Sequence, residues 1–377
     1  MIYLDYNATA PTRPEALAAL VAAVQAGGNP SSVHSLGRAA RRRVEEARRS
    51  VAELVAVDAN QVVFTATGTE ANNMALGGYP DHAVIISAIE HDAVKQAAPD
   101  ATILPVKADG TLDMDALDAA LAQASRPPLV SVMLANSETG ILQPIPEIAA
   151  RVHAKGGLLH CDAVQAAGRI PLDMAALGAD LLTLSGHKLG GVPGAAALIL
   201  GASISGTARE PLPLLRGGGQ EKGRRAGTEA VGAIAAFGVA AQAAKAEIPA
   251  MAALAALRDK AEADLRALGA FLPAATGAPR LPNCFSVALP GKPAETQVIA
   301  FDLAGFAVSA GSACSSGKVK RSAVLAAMGY GDDIAGATIR VSFGVGTTAA
   351  QLEHFCSAWQ RLAGRAAAPH TEAVKLD

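Results

Sequence analysis

Aromatic residues are scarce in this chain, at 3% of the total, with 1 tryptophan, 4 tyrosines and 8 phenylalanines. Yet hydrophobic residues make up 51%, and much of that content is alanine. The pattern predicts alanine-rich helices packed closely on a sheet. Charge of one sign is also missing: 32 Lys and Arg face 34 Asp and Glu, a formal net charge of -2. That excludes the basic footprint of a nucleic-acid binder at the level of the whole chain. The 4 cysteines, Cys161, Cys284, Cys314 and Cys356, form no C-x-x-C pair. No zinc site or disulfide framework is expected from them, and no metal site is expected elsewhere. The opening residues Met1-Ile2-Tyr3-Leu4-Asp5-Tyr6 lack the basic and apolar regions of a signal peptide. The apolar stretch 230–244 is too short to span a bilayer and ends at Lys245. A cytoplasmic protein with no membrane partner is the expectation.

What is present is a chain of 377 residues, long enough for two domains. Charged residues at 18% and ample apolar content argue for a real core rather than disorder. Residues 41–57 carry Val44, Ala47, Val51 and Leu54 at helical spacing between Arg and Glu, which predicts an amphipathic helix. Short apolar strands are predicted at 61–65, 82–87, 129–134, 157–161, 180–184 and 195–200, with helical segments such as Ile145–Ala154 between them. Alternation of this kind predicts an α/β fold with a mostly parallel sheet covered by helices. After Thr228 the texture changes. A long alanine-rich helix is expected over 230–268, then strands at 284–289 and 339–343, and helices at 295–303 and 349–365. These make a smaller α+β domain. The expected division is 16–245 for the large domain, with 1–15 and 246–377 in the small one, and a frayed tail from 366 onward.

Two charges sit where packing alone would not put them. Lys188 closes Ser185-Gly186-His187-Lys188 after an apolar run, and Asp162 lies inside His160-Cys161-Asp162-Ala163-Val164-Gln165. Such side chains are rarely buried without a partner. A cofactor that bonds the lysine covalently and pairs with the carboxylate explains both, and pyridoxal phosphate is such a cofactor. The competing reading of Asp162 is a helix cap. Gln165, three residues on, would share its helical face and reach the phenolic oxygen of the ring. Gly68 and Thr69 follow a strand and open a helix, a place suited to phosphate, and Ser185 and His187 could reach the same phosphate. His91 follows the strand 82–87 and would emerge at the same sheet edge. The loop 217–228 combines glycines with Arg224 and Arg225, either a solvated loop or an anion holder. Cys314 lies in Ser309-Ala310-Gly311-Ser312-Ala313-Cys314-Ser315-Ser316-Gly317, with no bulky neighbour to bury it and with Lys318 and Lys320 to favour its thiolate. Arg340 sits among apolar residues in Thr338-Ile339-Arg340-Val341-Ser342 and needs an anion. A substrate carboxylate and a protein carboxylate fit equally well.

Together these residues resemble the cysteine desulfurases of the NifS and IscS type, pyridoxal-phosphate enzymes of fold type I in the class-V aminotransferase family. The resemblance runs from Tyr3-Leu4-Asp5-Tyr6-Asn7-Ala8-Thr9 through Gly28-Asn29-Pro30-Ser31-Ser32 to Arg340, and the cysteine loop is similar to that of group I. It implies a seven-stranded large domain and a small domain carrying the cysteine loop. It implies catalytic roles for Lys188, His91 and Cys314. Gly68, Thr69, Ser137, Asp162, Gln165, Ser185, His187 and Lys188 would hold the cofactor, with Thr228 reaching the phosphate of a second subunit in a homodimer. Asn29 and Arg340 would bind the carboxylate of L-cysteine. The products would be alanine and a Cys314 persulfide, which passes sulfur to an acceptor protein of iron–sulfur cluster assembly or tRNA thiolation.

Three departures from the family pattern stand out. Ala135-Asn136-Ser137-Glu138 has serine where the family has a second asparagine, Ala66-Thr67-Gly68-Thr69-Glu70 replaces S-G-A-T-E, and Gly191-Val192-Pro193-Gly194 has lost a lysine. The hydrogen bonds around the ring should therefore differ from the family's usual set. Other functions compatible with the same residues are a selenocysteine lyase, a related aminotransferase, or a non-catalytic scaffold.

Overall fold

The computed structural model describes residues 1–311 and 321–367. Its twelve strands are β1 (Ile2–Tyr3), β2 (Val62–Thr65), β3 (Ala83–Ser87), β4 (Thr102–Leu104), β5 (Pro128–Met133), β6 (Leu158–Asp162), β7 (Leu181–Ser185), β8 (Ala196–Leu200), β9 (Cys284–Ala288), β10 (Phe306–Ala307), β11 (Ser309–Ala310) and β12 (Thr338–Ser342). Seven of them form the main sheet in the order β2-β8-β7-β6-β5-β3-β4. Strands β7, β6, β5, β3 and β4 pair in parallel, and β8 runs antiparallel to both of its neighbours. Every residue of β5 to β8 is buried, which is why these strands read as unbroken apolar runs rather than alternating ones.

This is the expected α/β architecture with a smaller α+β part. The second part holds the antiparallel sheet β11-β12-β9, and β1 pairs in parallel with β10 beside it. The amphipathic helix expected over 41–57 is Ser35–Leu54 instead. It starts earlier because the His34 side chain caps it, accepting from the Gly37 N–H at 3.2 Å. It stops before Ala56, which has a positive φ of 56°.

Two hydrophobic clusters organise the molecule. The first joins Val44, Ala47 and Val51 of that helix to Phe64, Leu159, Leu184 and Phe237. The second joins Leu4, Phe285, Phe301, Phe306, Phe355 and Trp359. The long helix Val231–Ala267 belongs to both: Ile234, Phe237, Ala240 and Ala244 pack in the first, Leu254, Ala261 and Leu265 in the second, with Pro249 between them. This helix is long and apolar enough to cross a membrane, but its buried residues face protein and its second half carries Arg258, Lys260, Glu262 and Asp264. Alanine-rich packing is tight here. A Cβ added to Gly238 would lie 2.5 Å from the Cα of Ala47, so the two helices touch backbone to backbone.

Candidate active site

The parallel strands all end at one edge of the main sheet, where ligands of open α/β sheets collect. β2 delivers Ala66–Thr69, β3 delivers Ala88–His91, β5 delivers Leu134–Ser137, β6 delivers Asp162, and β7 delivers Ser185–Lys188.

Asp162 is the last residue of β6 and is 7% exposed. Its Oδ1 accepts from the Val164 N–H at 3.0 Å and its Oδ2 from Asn72 Nδ2 at 2.9 Å. The residues after it form turns rather than a helix, so the capping seen is that of a local turn. Neither hydrogen bond comes from a cation among the described residues. A buried carboxylate of this kind suits a protonated ring nitrogen.

Lys188 Nζ donates to the carbonyls of Asn7 at 2.6 Å and Ala8 at 2.8 Å. These acceptors belong to the N-terminal segment. His187 shares Thr9 with that segment, its Nδ1 lying 3.2 Å from the hydroxyl. Burial, and then the Lys188 charge, push the His187 imidazole down to about 4, so it is neutral at pH 7 and offers a hydrogen bond rather than a charge. Ser185 is buried beside it.

Gly68 opens the helix Gly68–Gly77, whose N-cap Thr67 accepts from the Glu70 N–H at 3.0 Å. A Cβ on Gly68 would meet Ser185 at 3.6 Å, so the helix N-terminus and the end of β7 are neighbours. Unpaired N–H groups and the positive end of the helix dipole converge there with Ser185, which suits a phosphate. The buried carboxylate, the lysine amine and this helix terminus together fit pyridoxal phosphate.

His91 caps the short helix Asp92–Lys95, its Nδ1 accepting from the Ala93 N–H at 3.0 Å. That bond places the ring proton on Nε2. Its neighbour Glu90 is buried, accepts from the Met133 N–H at 2.8 Å, and is pushed well above the usual carboxylate range by desolvation. Glu90 thus ties the His91 turn to the end of β5, next to Asp162.

Gln165 is buried, but its amide is committed: Nε2 donates to the Asn7 carbonyl at 2.9 Å, and Oε1 accepts from Arg169. Arg169 has no carboxylate partner among the described residues, and burial lowers it to about 10. Arg340 pairs with Asp5 at 2.6 Å and reaches the Ser137 carbonyl at 3.2 Å. Of its two expected partners, the protein carboxylate is the one seen, and its Nε is buried without a partner among the described residues. The Ser137 carbonyl also accepts from Asn7 Nδ2 at 2.9 Å. Asn29 is exposed and bonds within its own turn, to the Ser31 N–H at 2.9 Å. Thr228 is exposed in a loop beside Ala66 and Arg225. The loop arginines hold protein carboxylates: Arg225 binds Glu70 at 2.7 Å, and Arg224 binds Glu210 at 2.9 Å. Cys314 lies outside the described residues. Among the described residues no cluster of metal-ligand type occurs.

A cavity of about 320 Å³ opens beside Lys188, lined among others by Tyr6, Arg169, Gly190, Asn283 and Gly344. It lies where residues of both hydrophobic clusters' elements meet. The residues that sequence reading missed are Asn7, Asn72, Asp5 and Glu90. Asn72 had a readable signal: it stands four residues after Gly68, on the helix face of Ala71, Met74 and Ala75, which are buried.

The aminotransferase class-V family model matches residues 2–355. A cysteine desulfurase of Rhodobacter capsulatus is 39% identical over 367 residues, covering 93% of each chain. A solved NifS-like protein from Rickettsia africae has 35% identity and a TM-score of 0.88, covering 97% of this chain and 99% of that one. A structure described as SspA in complex with cysteine has 26% identity and a TM-score of 0.77, covering 91% of this chain and 99% of that one.

Proposed function

Since the chain belongs to the class-V aminotransferase family, we propose that the site around Lys188 takes sulfur from L-cysteine and hands it to an acceptor protein. The protein is an enzyme, a pyridoxal-phosphate-dependent cysteine desulfurase that transfers sulfur as a persulfide. What carries the assignment of residues is one convergence: Lys188, Asp162 and the N-terminus of Gly68–Gly77 meet at a single sheet edge.

Lys188 holds the cofactor through Nζ, and Asp162 pairs with its ring nitrogen. Gly68, Thr69, Ser185 and His187 take the phosphate, Gln165 and Ser137 lie on the ring side, and Thr228 reaches the phosphate of a second subunit. Bound there, pyridoxal phosphate supplies the electron sink for the pair left at the substrate Cα. Arg340 and Asn29 orient the substrate carboxylate. Lys188 Nζ takes the Cα proton, and His91 assists proton transfer through Nε2. The Cys314 thiolate then attacks the substrate sulfur, the S–S bond forms as the Cβ–S bond breaks, Cβ keeps that electron pair and takes up the proton the Cys314 thiol gave up, and Lys188 returns its proton to Cα. L-cysteine and the Cys314 thiol thereby become alanine and a Cys314 persulfide.

The large domain spans 16–245 and the small one 1–15 and 246–377. The acceptor belongs to iron–sulfur cluster assembly or tRNA thiolation. A homodimer is supported by apolar residues left exposed on one helix, Leu17, Val21 and Val24, and on the loop of Leu212, Leu214 and Leu215. Free Cys161, Cys284 and Cys356 suit the reducing cytoplasm.

The test is incubation of the purified holoenzyme with L-cysteine, reading alanine and protein persulfide. Cys314→Ala should lose the persulfide, and Lys188→Ala should lose alanine formation. Transamination of a keto acid without sulfur release would refute the proposal, and so would normal persulfide yield from the Cys314→Ala variant.

A further inference from the structure

Asn72 makes a buried contact to which the chemistry above gives no part. It lies one helical turn beyond Gly68, in Gly68–Gly77, and is 1% exposed. Its Nδ2 donates to Asp162 Oδ2 at 2.9 Å across 90 residues of sequence. The Val164 N–H holds the other oxygen at 3.0 Å. An ionised carboxylate only accepts hydrogen bonds, so the amide nitrogen must be the atom that faces it. Asn72 Oδ1 is then left buried with no hydrogen-bond partner among the described residues. A fold seeking only stability would avoid that orphan. The neighbouring buried positions Ala71, Met74 and Ala75 are all apolar, so packing does not call for an amide.

We infer that Asn72 is a positioning residue that fixes the orientation of Asp162 toward the cofactor's ring nitrogen. With Val164 it grips both carboxylate oxygens, leaving the side chain one orientation. Because Asn72 and Gly68 share a helix, the phosphate end and the ring-nitrogen end of the cofactor site are set by one rigid element. The inference rests on the reading of Asp162 as the cofactor's partner. The other titratable groups around Asp162 are His160 and Cys161 on its own strand and Glu90 from the turn after β3.

The experiment compares the wild type with Asn72→Leu, Asn72→Asp and Asp162→Asn. For each, the full-length apoprotein is titrated with pyridoxal phosphate to give Kd, the visible absorbance of the holoenzyme is followed against pH, and the apoprotein Tm is recorded. Loss of a hydrogen bond to a charged group predicts a Kd roughly tenfold weaker for Asn72→Leu, beside any fall in apoprotein Tm from the Asp162 oxygen left unpaired. Asn72→Asp is nearly isosteric and guards against failure to fold. It brings two carboxylates together that must share a proton, so its absorbance should gain a pH-dependent step that the wild type lacks. A wild-type Kd and spectrum in both Asn72 variants, while Asp162→Asn binds poorly, would overturn the role of Asn72. If Asp162→Asn itself binds the cofactor like wild type, the reading of Asp162 fails and the inference falls with it.

Discussion

His160 should make the protein lose stability on mild acidification, and the size of the loss can be worked from its surroundings. The ring is wholly buried on β6, with Nδ1 2.8 Å from the Ser131 hydroxyl on β5 and Nε2 3.0 Å from the Thr183 hydroxyl on β7. The two hydroxyls can satisfy either neutral tautomer, but nothing nearby offsets the cost of a charge except the Asp162 carboxylate. Desolvation therefore lowers the ring from 6.5 to about 4. The unfolded chain takes up its proton below about 6.5 while the folded chain resists until about 4, so stability is full above the first value and falls toward the second. At pH 4.5, two pH units below the unfolded value and with the native ring still mostly neutral, the linkage amounts to about 2.5 kcal/mol, close to 1.36 kcal/mol for each of those pH units. The assay is denaturant unfolding from pH 7.5 to 4.5 for the wild type and for His160→Asn, which does not titrate. The stability difference between the two proteins should move by about 2.5 kcal/mol over that range, the wild type losing more on acidification. A difference that stays constant with pH would refute the reasoning.

Glu90 has the opposite sign. Its carboxyl keeps its proton above the usual range, so its penalty grows as pH rises past the unfolded value, and Glu90→Gln should gain stability at pH 8 relative to pH 5 in the same unfolding assay. Gly238→Val would drive a side chain into Ala47 and should cost about 1–3 kcal/mol or more, read as a lowered midpoint of denaturation. Phe355→Ala would empty the centre of the second cluster, where the ring stacks on Phe301 at 4.9 Å. A loss of about 3–5 kcal/mol is expected in denaturant unfolding. Arg340→Lys keeps the charge but loses the guanidinium fork, so steady-state kinetics should show KM for L-cysteine rising about tenfold, with a smaller change in kcat.

The strands of the main sheet were legible because each is buried on both faces and so reads as a short apolar block. β4 was not: Thr102 and Ile103 are exposed and the strand has three residues at the sheet edge, too little for a pattern. The lysine and the carboxylate were legible because each breaks an apolar run. Arg340 was half legible. Its strand demands an anion, but nothing local says that Asp5, 335 residues away, supplies one. Gln165 shows the same limit. Its place after β6 was readable, whereas its engagement with Asn7 depends on chain from the far N-terminus. Asn7 and Asn72 act through contacts 130 and 90 residues away, and no window of sequence contains both partners.

The pairing of β1 with β10 has a consequence for the order in which the molecule is made. Leu4 belongs to a cluster whose other buried members begin at Leu254, so a segment made before the main sheet must wait for one made after it. Meanwhile the main sheet can close, since its strands lie between Val62 and Leu200. Lys188 is then present in a folded sheet, but the carbonyls that seat its amine, on Asn7 and Ala8, arrive only when the C-terminal lobe captures the N-terminus. A chain cut short before β10 would thus carry a finished sheet with an unfinished site.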